Sequence, residues 1–65
     1  MEQDKQKELN EFIELLDKEI KTLQHELWLT KAGRKTSAKR ARVQTLKLRD
    51  LFKEFRKISI KNMAN

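Results

Sequence analysis

Leu9, Ile13, Leu16, Ile20, Leu23 and Leu27 follow one another at steps of four, three, four, three and four. That heptad rhythm, widened by Phe12, predicts one amphipathic helix from about Asp4 to Thr30. The period returns downstream, where Ala38, Ala41, Thr45, Leu48, Leu51, Phe52, Phe55 and Ile58 share one broad face. This second stretch predicts a helix over about 38–61, with Asn62 as its end. Between them, Lys31-Ala32-Gly33-Arg34-Lys35-Thr36-Ser37 reads as a connection. Gly33 suits a left-handed C-terminal cap, and Thr36 or Ser37 suits the N-cap of the second helix. The chain has no proline and one glycine, so nothing else interrupts either helix.

Two long amphipathic helices joined by a short turn predict an all-α antiparallel hairpin, a single domain over residues 1–65. Each helix would be about 40 Å long at 1.5 Å per residue. Leu15, Trp28, Leu29, Leu46 and Leu51 add more apolar surface than two helices can cover. The expected assembly is therefore a homodimer, most simply a four-helix bundle. Its core would draw on Leu9, Phe12, Ile13, Leu16, Ile20, Leu23, Leu27, Leu48, Phe52 and Phe55. The competing architecture straightens the turn into one long helix that dimerises as a coiled coil. Gly33 opposes it, at a cost of about 1 kcal/mol in a helix interior.

Charge divides the chain where the helices do. The first 30 residues hold eight acids and four lysines; from Lys31 onward twelve Lys or Arg face only Asp50 and Glu54. The halves carry −4 and +10, for a net charge of +6. In the first helix, Glu2, Asp4 and Glu8 sit where the positive end of the helix dipole favours them. In the second, Lys39, Arg42, Arg49, Lys53, Arg56 and Lys57 cluster on an arc beside the apolar face, and Lys35 extends it into the turn. Arg40 and Lys47 lie on the other flank. With a hinge near Gly33, positions summing to about 67 come opposite one another, which pairs Glu11 with Arg56 and Glu14 with Lys53.

At the turn end Lys31, Arg34, Lys35, Lys39, Arg40 and Arg42 crowd within twelve residues, opposed only by Glu26. Cations at a helix N-terminus oppose the dipole, at about 0.3–1 kcal/mol each. A sequence built only for stability would place Asp or Glu there, so this departure points to function. Exposed N-terminal amides beside Lys and Arg make a phosphate site. The bland alternative for all these cations is a solvated surface.

Other chemistry finds little support. His25 is the only histidine and has no companion ligands beyond Glu19 or Glu26, too few for a metal. Thr36, Ser37 and Thr45 have no base beside them, so no nucleophile, enzyme activity or cofactor is expected. Phe12, Phe52 and Phe55 read as core, and Trp28 as a cap on a dimer core near the turn, with a ligand contact as its alternative. With no cysteine the chain needs no oxidising compartment. Its longest apolar run, Leu27-Trp28-Leu29, is far below the roughly 18 residues of a membrane span. The start, Met-Glu-Gln-Asp, lacks the pattern of a signal peptide. A soluble cytoplasmic chain is the expectation, and a membrane-surface role is disfavoured because the second helix needs its apolar face for the first.

The stretch from Lys35 to Lys61 resembles the conserved segment of the chlamydial histone-like proteins and their short bacterial relatives. That pattern is a glycine, a basic and small-residue segment, an Arg-x-Arg, a Leu-bearing helical run and an aromatic-Arg-Lys-x-Ser ending. Here these are Gly33, Lys35 to Ala38, Arg40-Ala41-Arg42, Leu46 to Leu51, and Phe55-Arg56-Lys57-Ile58-Ser59. The resemblance implies nucleoid association and DNA binding without sequence preference, with Arg40, Arg42, Arg56 and Lys57 at basic places of the motif. Two features depart from it. Gly33-Arg34-Lys35-Thr36-Ser37 makes the turn more basic than usual, and the Lys/Ala/Pro-rich tail of the chlamydial members has no counterpart in these residues.

The sequence thus points to a helical-hairpin dimer that binds the phosphates of duplex DNA through Lys31, Arg34, Lys35, Lys39, Arg40, Arg42, Arg49, Lys53, Arg56 and Lys57. No set of side chains is placed to read bases. An RNA-binding hairpin of ribosomal type and a coiled-coil adaptor for an acidic protein are the alternatives.

Overall fold

The computed structural model describes residues 2–63, with side chains from 6 to 62. Two helices, α1 (Glu2–Lys31) and α2 (Lys35–Met63), pack against each other as an antiparallel hairpin. The molecule is a rod of 48 × 16 × 13 Å. The side chains of Glu2 and Asp4, expected at the favourable end of the α1 dipole, lie outside the described residues.

The connection is shorter than the sequence suggests. Gly33 has φ +95°, the left-handed conformation that costs glycine nothing. Its amide donates to the Thr30 carbonyl at 2.9 Å, and the Arg34 amide donates to the Leu29 carbonyl at 3.1 Å. This pair of bonds is a Schellman motif, which satisfies carbonyls left open at the end of α1. The Arg34 carbonyl then accepts from the Ala38 amide at 3.2 Å, the first bond of α2. Arg34 is therefore the N-cap, in place of Thr36 or Ser37. The Schellman turn reverses the chain within three residues, so the backbone is helical again by Lys35 and both hydroxyl residues fall inside the first turn.

The contact between the helices runs along Leu9, Phe12, Leu16, Glu19, Leu23, Glu26 and Thr30 on α1. It meets Ser37, Ala41, Gln44, Leu48, Leu51, Phe55, Ile58 and Asn62 on α2. Each of these is buried or half-buried, with Leu9 and Leu48 the most enclosed large side chains at 3% and 2% exposure. Both lines keep the heptad steps of three and four. On α1, however, the line is turned by about 50° from the stripe that the leucines and isoleucines mark out. Ile13 and Leu27 are exposed at its edge, and Glu19 and Glu26 take contact positions instead. On α2, Phe52 and Thr45 are likewise exposed, while Ser37 and Gln44 are buried. An apolar stripe some 100° wide offers more rows than a single partner helix can cover.

A polar layer crosses the contact. The Gln44 side-chain amide donates to the Glu19 backbone carbonyl at 2.9 Å and to Glu19 Oε1 at 2.8 Å. Lys47 Nζ reaches the same Oε1 at 3.1 Å. Burying a carboxylate is unfavourable unless it is paired and hydrogen-bonded, and here both conditions are met. The Gln44 bond first, and Lys47 second, hold the Glu19 carboxyl below the usual carboxylate range.

Candidate nucleic-acid interface

All ten cations singled out from the sequence are exposed. Helical geometry sorts them into three places. Lys35, Arg42, Arg49 and Arg56 recur every seven residues, one straight row along α2. Lys39, Lys53 and Lys57 lie beside that row, all within about 100° of arc on the side of α2 away from α1. From Lys35 to Arg56 the row spans roughly 31 Å, close to one turn of duplex DNA. Lys31 and Arg34 stand at the turn. Arg40 falls on the opposite flank, near Lys47, in a groove lined by Thr22, Glu26, Val43 and Gln44.

Acidic partners do not neutralise the arc. Glu26 meets Arg40 at 4.0 Å, off the arc. Asp50 meets Arg49 Nε at 3.4 Å, an exposed neighbour pair. Among the described residues no acidic side chain lies within ion-pair distance of the other eight. The expected pairs Glu11–Arg56 and Glu14–Lys53 do not form. Glu11 and Glu14 lie on the side of α1 facing away from α2, because the contact line is turned toward Glu19 and Glu26. Glu14 instead borders a shallow groove on α1 with Asp17, Lys18, Lys21 and His25.

The start of α2 adds backbone donors. The amides of Lys35, Thr36 and Ser37 have no acceptor within the helix, and among the described residues no side chain caps them; Lys35 and Thr36 are exposed, while Ser37 is buried. The first turn of α2 holds no acid. A cleft between Leu29, Arg34, Lys35, Thr36, Ser37 and Arg40 opens at this end. Positive dipole, open amides and cationic side chains therefore coincide, which suits a phosphate. The sequence hid part of this, since Thr36 and Ser37 looked like caps.

Elsewhere the surface offers less. Among the described residues no three His, Cys, Asp or Glu side chains are gathered as a metal site would need. No described helix is long and apolar enough to cross a membrane. Trp28, 67% exposed, points away from both the helix contact and the basic arc.

A family model for histone H1-like protein Hc1 matches residues 4–65. No curated protein and no solved structure matches the chain. The family match runs through both helices, the Schellman turn and the whole basic arc, and the chain belongs to the histone H1-like protein Hc1 family.

Proposed function

We propose that this protein is a nucleoid-associated, DNA-binding protein that grips the phosphates of duplex DNA without reading sequence. The observation that carries this reading is the row Lys35, Arg42, Arg49 and Arg56, flanked by Lys39, Lys53 and Lys57. Family membership supports the choice of DNA as the polyanion. Binding would proceed by charge neutralisation and counterion release, with the open amides of α2 and Lys31, Arg34 and Arg40 adding contacts at the turn. Lys and Arg on a convex helix face, with no Asn or Gln beside them, favour backbone contact over base readout. The working unit is a homodimer in the cytoplasm, and no step of chemistry is assigned to it.

Titration of a labelled 30-base-pair duplex at several salt concentrations, with a folded RNA as competitor, tests the reading. Engagement of six to eight cations per subunit gives log K against log salt a slope of roughly −5 to −7. A steep slope with affinity surviving near 150 mM salt and no RNA preference supports it. RNA winning the competition moves the function to RNA. A shallow slope, with binding lost by 100 mM, makes the basic arc a docking surface for an acidic protein.

A further inference from the structure

The two flanks of the hairpin differ in kind. One carries Glu8, Leu15, Thr22 and Leu29 from α1 and Arg40, Lys47, Glu54 and Lys61 from α2. The other carries Ile13, Ile20 and Leu27 from α1 and Ala38, Thr45, Phe52 and Ser59 from α2. In a chain that is 40% charged, this second flank holds no charge at all. Three of its four large side chains remain open, with Ile13 at 41%, Phe52 at 43% and Leu27 at 49% exposure, and Ile20 is half-buried. Its two hydroxyls are already satisfied: Thr45 donates to the Arg42 carbonyl at 2.6 Å and Ser59 to the Arg56 carbonyl at 3.2 Å. Covering this flank would orphan neither of them.

We propose that a second copy of the chain covers the uncharged flank, with the two turns at the same end of the resulting four-helix bundle. The proposal deepens the homodimer named above. Area argues for the occupant. A compact monomer of 7.8 kDa exposes about 4400 Å². This hairpin exposes 5600 Å². The excess, roughly 1200 Å², is more than the about 800 Å² that each partner buries in a standard interface.

Charge argues for the orientation. A two-fold axis parallel to the helices lays α1 of each copy on α2 of the other; an axis across them lays α2 on α2. In the hairpin, residues whose numbers sum to between 63 and 66 stand at one level, as Glu19 does with Gln44 and Lys47 and Glu26 with Arg40. With turns at the same end, Asn10, Asp17 and Gln24 of one copy border Arg56, Arg49 and Arg42 of the other, and in these rows only Lys31 meets a like charge, Lys35. With turns at opposite ends, the arginine rows border each other and repel. The same-end bundle also leaves the two basic arcs facing opposite ways, each free to hold its own duplex.

Sedimentation equilibrium without nucleic acid, at tens of micromolar, is expected to give twice 7.8 kDa. Phe52→Glu should weaken association at least tenfold, while Leu15→Glu on the charged flank should not. Nitroxide labels on Ala32→Cys should lie roughly 10–25 Å apart across adjacent or diagonal helices. A monomeric wild-type mass, or equal loss in both Glu variants, overturns the interface. A label distance near the 48 Å length of the rod overturns the orientation. If Phe52→Glu loses helicity altogether, the wild-type mass and the label distance still decide. Salt-steep DNA binding by a monomeric chain would leave the proposed function standing and remove the dimer alone.

Discussion

Gln44 and Glu19 meet across the hairpin twice, through the Glu19 carbonyl at 2.9 Å and through its carboxylate at 2.8 Å. One side chain thereby anchors to both the backbone and the side chain of a residue on the other helix. One heptad toward the turn stands Glu26, with the same carbonyl and carboxylate to offer, so these bonds fix the register together with the three-residue turn at Gly33. Gln44→Ala would remove both bonds, while the Glu19 carbonyl keeps the Leu23 amide of its own helix and the carboxylate keeps Lys47. A loss of about 0.5–1.5 kcal/mol is expected, read by urea unfolding. A stability within a few tenths of wild type would show that Lys47 and solvent suffice.

The same carboxylate predicts a pH dependence. Gln44 and Lys47 hold the Glu19 carboxyl below the ordinary value, so the folded state binds its proton less readily than the unfolded chain does. This contribution is fully present above the unfolded pKa of about 4.3 and is lost as pH falls through the lower folded value. Stability should decline on acidification below that point, and Glu19→Gln should flatten the decline. Parallel pH profiles of the two proteins would assign the effect elsewhere.

Gly33→Ala isolates the price of the turn's geometry. A methyl group there meets nothing within 4 Å, so only the φ of +95° resists it. Thermal unfolding should show a loss of about 1–2 kcal/mol with the hairpin intact. A variant that becomes one continuous helix would instead double the length of the rod in solution scattering.

Arg34 sets stability against binding. As N-cap it offers the open amides of α2 no acceptor, and it adds a cation to the positive end of a dipole. Arg34→Asp should stabilise the fold by about 0.5–2 kcal/mol. It should also weaken duplex binding, because a carboxylate would occupy the amides that a phosphate would use. A variant that gains stability and keeps its affinity would place the DNA contact elsewhere.

The position of the arc is tested by paired changes. Arg42→Gln with Arg49→Gln removes two members of the row and should lower the salt slope by about 2. Arg40→Gln with Lys47→Gln removes two cations of the opposite flank, already engaged by Glu26 and Glu19, and should change the slope less. Equal effects would mean a diffuse field around the molecule and no arc-centred site.

The sequence by itself determined the two helices, the turn at Gly33 and the split of charge between the halves. Each of these rests on local rules: the period of apolar residues, the left-handed freedom of glycine, and the count of Lys and Arg on one helical arc. The row from Lys35 to Arg56 was legible for the same reason, since residues on one helix need no partner to be placed. Only the tertiary structure decided how the helices are turned toward each other. A broad apolar stripe admits several rotations, and the choice fell to polar residues, with Glu19 and Glu26 facing Gln44, Lys47 and Arg40. That rotation put Glu11 and Glu14 out of reach of Arg56 and Lys53, and it left Ile13, Leu27 and Phe52 open on an uncharged flank. The start of α2 was likewise settled by the backbone, because a Schellman turn needs so few residues that Arg34, and not a hydroxyl side chain, became the cap.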